Sequence, residues 1–498
     1  MSHDREITIS PTTRIEGHGK VTILLDESGN VSDAHFYATE IRGFDYFLRG
    51  MEAERLPFII SRICGVCSTA HEIASIKAIE SIYGTEITET ARKLRELLLM
   101  GQIISNHSLV FFFLTLPDFW FSPEEDPSRR NIFQIMRERP DVGKKAIALR
   151  SFGTHILDLV GKREVHIVSA IPGGLISPLK EREQQELLKE AKKACAITRE
   201  ALSIGEELFE KNWPDFKKAG DYKTHYMALT NDGALEFYDG KIRVIGPNGE
   251  TKSEFNAQDY MVHVEEKSHE WTYAKFAYLS ALGWPEGVFQ VGSTARMNVN
   301  SRATTELAYK ELKGFRRKFG SPAHATLLFD YARLIDLMYA CERANELLED
   351  NTLRRTDTRV KVEPRGGRGI GVVEAPRGTL AHEYVLTRNG RLKSMKLIIP
   401  TQVNNAAINL NVKDAAMEFI HHAEIKPGLL NRIEMVIRAY DPCIKCATRS
   451  AGESLRVEIK NSEGALLRTL WRHSLRCTYP RSISHSGSSR VTEGINVG

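Results

Sequence analysis

The sequence predicts an α+β fold, with a mainly helical core and small antiparallel sheets. Two observations carry this reading. From Thr88 to about Asn212, and again from Thr304 to Asn351, apolar residues recur at helical spacing over stretches too long for strands. Around these stretches, short alternating runs flank turn signals such as Asp26-Glu-Ser-Gly-Asn30 and Pro247-Asn-Gly-Glu250, the signature of hairpins.

The first element, Ile7 to Ala38, alternates and is expected to be a small antiparallel sheet with a Gly-Asn turn. Within it Arg14, Glu16, His18 and Lys20 take alternate positions, which periodicity alone reads as a solvated strand face. Arg42-Gly-Phe-Asp45 leads through a short helix to a thiol motif at Cys64, and Ser68 to Tyr83 then carries Ile73, Ala74, Ile76, Ala78, Ile79 and Ile82 at roughly helical spacing. Lys93 to Ile104, Lys144 to Lys162 and the strongly charged Glu181 to Glu210 are the clearest helices of the long core. Thr230 to Val264 reads as hairpins of a sheet inserted at the surface, and Val360 to Thr401 as Gly-rich and strand-like. Val412 to His422 reads as helix, and Met435 to Tyr440 as a strand running into a second thiol pair. Gly366-Gly-Arg-Gly-Ile-Gly371 lacks the spacing of a dinucleotide fingerprint; it is read as turns, and no nicotinamide or flavin is expected there.

A chain of 498 residues with 42% hydrophobic content can bury a large core. Its 68 basic and 64 acidic residues nearly balance, which gives no electrostatic reason for a nucleic-acid or membrane-surface partner. Seven thinly spread cysteines are not a disulfide framework, so metal ligation or catalysis is expected of them. Met1 to Ser10 includes Asp4, Arg5 and Glu6 and has no apolar core, so no signal peptide is expected; the apolar patch Leu109 to Leu116 is too short to span a bilayer.

Two Cys-x-x-Cys pairs, Cys64 with Cys67 and Cys443 with Cys446, can offer four sulfurs to one centre. The first pair stands at the start of the Ser68 to Tyr83 helix, where the positive end of the dipole favours thiolate, the metal-binding form. His71 falls on the same helix face as Cys67 and can donate a hydrogen bond to a sulfur. Taken alone, two such pairs suggest tetrahedral structural zinc. Their separation by most of the chain, and the functional groups Arg62, His71 and Asp441 beside them, count against it.

The spacing Arg-x-Cys-Gly-x-Cys-x-x-x-His from Arg62 to His71, followed by Asp-Pro-Cys-x-x-Cys from Asp441 to Cys446, resembles the paired signatures of the nickel-iron hydrogenase large subunit. The resemblance runs from about Ile7 to Arg449 and implies that family's fold, with a catalytic domain over residues 1–449. It implies nickel held by Cys64, Cys67, Cys443 and Cys446, with Cys64 and Cys443 terminal and Cys67 and Cys446 bridging to an iron that carries carbon monoxide and cyanide. Glu16, in the matching Arg-Ile-Glu-Gly, becomes the proton acceptor from Cys443. Arg377, in Glu-Ala-Pro-Arg-Gly, resembles the arginine over the open metal position, where it polarises dihydrogen and holds a cyanide; Asp118 matches the carboxylate near that arginine and Asp441 is a second. Thr401, in Pro-Thr-Gln-Val-Asn, would donate to the other cyanide, although Val403 replaces the usual tryptophan.

Two departures concern a divalent ion, magnesium or iron, that the family holds near its C-terminus. Asp45 stands where a glutamate ligand is usual, and Arg449 where a histidine is usual. A guanidinium stays protonated and is no metal ligand, so Arg449 is expected to replace the ion and pair with Asp45; the alternative is that Asp45 remains a ligand to magnesium. The family is cut after this point by a nickel-dependent endopeptidase, which makes residues 450–498 an extension removed on maturation. Its Leu455-Arg-Val-Glu-Ile-Lys460 and Leu466-Leu-Arg-Thr-Leu-Trp471, a strand-turn-strand pattern, fit a retained cap equally well.

Oxidising dihydrogen releases two electrons, and the remaining Cys195, Cys341 and Cys477 are too few for a four-cysteine iron-sulfur cluster. The resemblance therefore implies an iron-sulfur small subunit, with further electron-transfer subunits beyond it. Thr-Glu-Ile-Arg-Gly-Phe and Val-Ile-Arg-Ala-Tyr-Asp-Pro-Cys look most similar to cytoplasmic, multi-subunit members. Reversible dihydrogen cleavage is the expected activity; a dihydrogen sensor with the same centre and a structural zinc protein are the alternatives. Cys195 and Cys341 are expected to be plain buried thiols.

Overall fold

A computed structural model describes residues 5–38, 43–424, 427–447, 455–460 and 466–472. The chain divides into two compact units, Met1–Arg449 and Ser450–Gly498. In the second, Leu455–Lys460 and Leu466–Arg472 pair antiparallel.

The first unit opens with three antiparallel strands, Arg5–Ile9, Gly19–Leu25 and Val31–Ala38. The turn between the last two is held by Asp26, whose backbone N–H donates to Asn30 O at 2.8 Å and whose side chain accepts from Asn30 N at 2.9 Å. The expected strand face at Arg14, Glu16 and His18 is absent: the ladder stops at Ile9, opposite Val21, and the chain leaves the sheet. Arg14 and Gly17 take left-handed conformations, φ 57° and 87°. A Cβ on Gly17 would lie 2.9 Å from Ile444 Cβ, so glycine lets this loop run against the second thiol segment.

The helical centre is built from Glu89–Ser108, Pro140–Gly161, Glu181–Phe216 and Leu328–Glu349. Glu89–Ser108 and Pro140–Gly161 approach closely: a Cβ on Gly153 would lie 2.5 Å from Ser105 N and 2.6 Å from Gly101 O. The apolar patch expected to be too short for a membrane is a π-helical turn, Leu109–Thr115, inside a longer continuous run. That run, Glu89–Trp120, has 32 residues and is long and apolar enough to cross a bilayer, but 78% of its most apolar window is buried inside the protein.

Two sheets pack around the helices. Gly367–Ala375, Gly378–Leu386 and Leu392–Ile398 form an antiparallel meander. The run read as turns, Gly366 to Gly371, thus mostly lies in its first strand; Cβ atoms on Gly369 and Gly371 would sit 2.5 Å from Ala78 O and 2.1 Å from Ala74 O, so the glycines seat this strand against the helix Ser68–Tyr83. The hairpins expected as a surface insertion belong to a five-stranded sheet whose strand His225–Asn231 is largely buried and also pairs, in parallel, with Phe289–Gln290. Leu229 N donates to Glu374 Oε1 at 3.0 Å, tying the two sheets together.

The C-terminal part of this unit is helical where the sequence predicts a strand. Pro427–Ala439 is a helix that includes most of Met435 to Tyr440, with Ile433, Val436 and Ile437 buried. A short β-branched run reads as a strand when too few residues are sampled to show the helical period. The helix expected from Val412 begins earlier, at Pro400, which places Thr401 in its first turn.

Candidate metal centre

Each thiol pair is delivered by a sharp break between short elements. Cys64 ends the turn Ser61–Ile63 in extended conformation, and Cys67 caps the helix Ser68–Tyr83. Backbone N–H groups of Val66 and Cys67 each donate to Cys64 Sγ at 3.3 Å. On the other side Asp441 is left-handed at φ 49°, Cys443 makes a parallel bridge with Glu16, and Ile444–Ala447 forms one helical turn. Ile444 N donates to Glu16 O at 3.0 Å, so the loop from the first sheet is tied to the second pair through backbone.

The two pairs meet. Cys64 Sγ lies 3.5 Å from Cys443 Sγ, Cys67 Sγ 3.6 Å from Cys446 Sγ, and Cys443 Sγ 2.7 Å from Cys446 Sγ. All four sulfurs are buried and lie within 4.8 Å of one another. Hydrogen bonds from Cys443, Cys446 and Cys64, with a further one from His71, outweigh burial and lower the Cys67 thiol well below its ordinary value. Burial raises Cys443 and Cys446 well above theirs. A soft thiolate surrounded by three further sulfurs is a donor set suited to nickel and iron.

A small cavity of about 10 Å³ lies against this cluster, lined by Cys67, Cys443 and Cys446 and by His71, Arg377 and Thr401. Cys443 Sγ contacts Glu16 Oε2 at 2.9 Å, and Lys445 Nζ stands 3.8 Å from Glu16 Oε1. Arg377 donates through Nε to the Asp441 carbonyl and through Nη2 to Asp441 Oδ1 at 3.0 Å, while its buried Nη1 has no hydrogen-bond partner. Burial opposes the charge on Arg377, but Asp441 and the sulfurs of Cys443, Cys67 and Cys64 outweigh it and hold the guanidinium protonated. Thr401 Oγ1 accepts from Cys443 N at 3.0 Å, which leaves its hydroxyl hydrogen free to donate elsewhere.

A family model described as nickel-dependent hydrogenase matches residues 42–122 and 159–449, and a HoxL-like model matches residues 6–41. The chain belongs to the nickel-dependent hydrogenase family. An F420-non-reducing hydrogenase (vhu) polypeptide of Methanocaldococcus jannaschii is 42% identical over 411 residues, which cover 82% of this chain and 98% of that one. NAD-reducing hydrogenase HoxS subunit beta of Cupriavidus necator is 33% identical over 481 residues, 93% of this chain and 99% of that one. Among solved structures, an NAD+-reducing nickel-iron hydrogenase in the H2-reduced state superposes with a TM-score of 0.87 at 36% identity, over 89% of this chain and 99% of that chain.

As a nickel-dependent hydrogenase the chain is an oxidoreductase that cleaves dihydrogen at a nickel-iron centre, and the buried four-cysteine cluster fits that site. Membership decides for nickel over the structural zinc that the thiols alone allowed. The hydrogenase fold also explains why the pairs lie so far apart: the chain returns to its starting point to complete the cluster.

The outer residues are arranged less simply than their order suggests. The sequence places Asp118 near Arg377; its bonds are to Arg14 Nη2 at 2.5 Å, Arg438 Nε at 2.9 Å and Asn431 Nδ2 at 3.2 Å, and the carboxylate on Arg377 is Asp441. Burial raises the Asp118 carboxyl, but Arg438 and Arg14 outweigh it and hold it below the usual range. Asp45 lies on the short helix Phe44–Phe47, where its charge helps raise the Tyr384 phenol after burial itself has done most. Arg449, its expected partner, lies outside the described residues, as does Cys477. Cys195 sits on Glu181–Phe216 and Cys341 on Leu328–Glu349; burial raises both thiols, Cys195 to about 12.

Sequence reasoning did not find Asn106, which donates to Asp441 Oδ2 at 3.1 Å, or Arg14, which donates to Leu114 O at 2.7 Å within the π-helical turn. Nor did it find His382, 3.1 Å from His71 Nδ1. His382 carries one signal, its place five residues after Arg377 on the same hairpin, and Arg14 another, its place at the head of Arg-Ile-Glu-Gly; Asn106 carries none, because only chain folding makes it a neighbour of the site.

Proposed function

We propose that Cys64 and Cys443 hold nickel terminally, that Cys67 and Cys446 bridge it to an iron carrying carbon monoxide and cyanide, and that Glu16 takes the proton. The supporting observation is the 2.9 Å contact between Cys443 Sγ and Glu16 Oε2 at the edge of a buried cluster. Cys67, Cys443 and Cys446 border the cavity together with Arg377 and Thr401, so the sulfurs assigned as bridging face the groups that would hold the iron's ligands.

When bound, the metal pair supplies the acceptor of the electron pair as dihydrogen splits heterolytically. The chain supplies the rest. Cys443 sulfur accepts the proton and hands it to Glu16 Oε2, whose side chain is 21% exposed and so leads toward solvent. Arg377, held by Asp441, brings a permanent charge with an unpartnered Nη1 to the cavity, where it would polarise dihydrogen and hold a cyanide of the bound centre. The Thr401 hydroxyl, whose oxygen accepts from Cys443 N, keeps its hydrogen and would donate it to the other cyanide.

Two electrons leave per dihydrogen. Cys195 and Cys341 are high-pKa thiols suited to packing, so the electrons pass to an iron-sulfur small subunit, then onward through further subunits in the cytoplasm. Relatives named as single subunits of F420-non-reducing and NAD-reducing hydrogenases support this assembly. Maturation removes residues 450–498 through a nickel-dependent endopeptidase, and Asp45 pairs with Arg449 instead of binding magnesium. The test is metal analysis with infrared spectroscopy of the purified complex. Nickel and iron at about one each, with carbon monoxide and cyanide bands and hydrogen-dependent viologen reduction, are expected from a soft thiolate site; zinc in their place overturns the assignment.

A further inference from the structure

Behind Cys67, away from Glu16, lies a second line of buried polar groups that the proton path does not use. His71 and Ser75 stand one turn apart on the thiol helix, and His382 and Tyr384 stand two residues apart on the facing strand Gly378–Leu386. All four are at most 1% exposed. His71 Nδ1 lies 3.1 Å from His382 Nε2, His382 Nδ1 lies 3.1 Å from the Tyr384 hydroxyl, and that hydroxyl lies 2.8 Å from Ser75 Oγ. With Nδ1 engaged by His382, Nε2 is the nitrogen that His71 has left for its hydrogen bond to Cys67. None of the four contributes to the buried polar atoms that lack a partner. Two imidazoles, a phenol and a hydroxyl are costly to bury, and a single connected chain removes that cost.

Counting hydrogens gives the chain a direction. A sulfur bound to metal carries no hydrogen and can only accept, so His71 must donate from Nε2. A neutral ring that donates from Nε2 accepts at Nδ1, which requires His382 to donate from its own Nε2. His382 must then accept at Nδ1, where the Tyr384 hydroxyl, 3.1 Å away, is the donor. In this structure the Tyr384 hydroxyl donates to Ser75 Oγ at 2.8 Å; once its one hydrogen turns to His382, the Ser75 hydroxyl, which turns freely, donates to the Tyr384 oxygen in exchange and completes the row.

We propose that His382 and Tyr384 are positioning residues that fix the tautomer and orientation of His71, aiming an N–H at Cys67 and thereby setting the electron density on that sulfur. The proposal rests on Cys67 being a metal ligand, as proposed above. It is distinct from the Glu16 path, because it removes no proton and acts on a different sulfur.

The deciding measurement on the wild-type chain is histidine-selective 15N NMR of the metal-loaded complex, in which the Cys67 sulfur can only accept. His71 with a bare Nδ1 and a protonated Nε2 supports the proposal; a bare Nε2 overturns it. On the nickel-loaded complex, His382→Leu and Tyr384→Phe are expected to shift the carbonyl and cyanide infrared bands at undiminished nickel content, because less donation reaches the sulfur. His382→Gln, which can accept from Tyr384 and donate to His71, is expected to restore the wild-type positions. Bands unmoved in His382→Leu at full metal content overturn the proposal. Loss of those bands in wild-type protein would instead contradict the metal assignment, and the NMR result on the tautomer still decides this inference by itself.

Discussion

Replacing Glu16 by Gln is the most direct perturbation of the proposed proton path. The amide has nearly the carboxylate's size, and the backbone bond from Ile444 N to Glu16 O, 3.0 Å, does not involve the side chain, so the loop and the sulfurs stay in place. What is lost is a group 2.9 Å from Cys443 Sγ that can accept and release a proton. Positioned proton transfer supplies roughly 10²- to 10⁴-fold in rate, and E16Q is expected to lose hydrogen-dependent viologen reduction and hydrogen-deuterium exchange within that range. Glu16→Asp withdraws the carboxylate by about 1.5 Å, one carbon-carbon bond. The contact then opens beyond direct hydrogen-bonding reach, and an intermediate rate through a bridging water is expected. Both variants should keep nickel and iron. E16Q with full metal content and turnover within about tenfold of wild type, below what positioned proton transfer supplies, would refute the role given to Glu16.

Gly153→Ala places a methyl group 2.5 Å from Ser105 N, backbone that cannot move aside cheaply, and is expected to destabilise the helical centre by about 1–3 kcal/mol, read as a lowered Tm. His107, buried 3.5 Å from Asp336, is lowered by burial to about 4 from 6.5, so the unfolded chain binds the proton first; its stabilising share is full above pH 6.5 and is lost as pH falls toward 4. That share is about 3 kcal/mol, and His107→Gln should flatten the denaturation profile over this window. Metal analysis of the mature chain should find no tightly bound magnesium, and one per chain would contradict the pairing of Asp45 with Arg449.

The ligand types and their spacing were legible without coordinates. Cys64 and Cys67, His71, and the distant Cys443 and Cys446 carry their chemistry in the side chain, and the helical spacing after Cys67 sets the first pair at a helix start. The long helices were legible for a similar reason, since Glu181–Phe216 repeats its apolar face over many turns and local order follows the repeat. Short elements were not. Met435 to Tyr440 offers too few residues to separate a strand from a helix, and Glu16 shares its alternation with real strands although it sits in a loop bent at Arg14 and Gly17. Partnership was decided only by the tertiary structure. Whether Asp118 meets Arg377 or Arg438, and whether His71 has His382 behind it, depends on contacts between residues hundreds of positions apart. Burial then makes those contacts count, because a buried charge or polar group without its partner is too costly to keep.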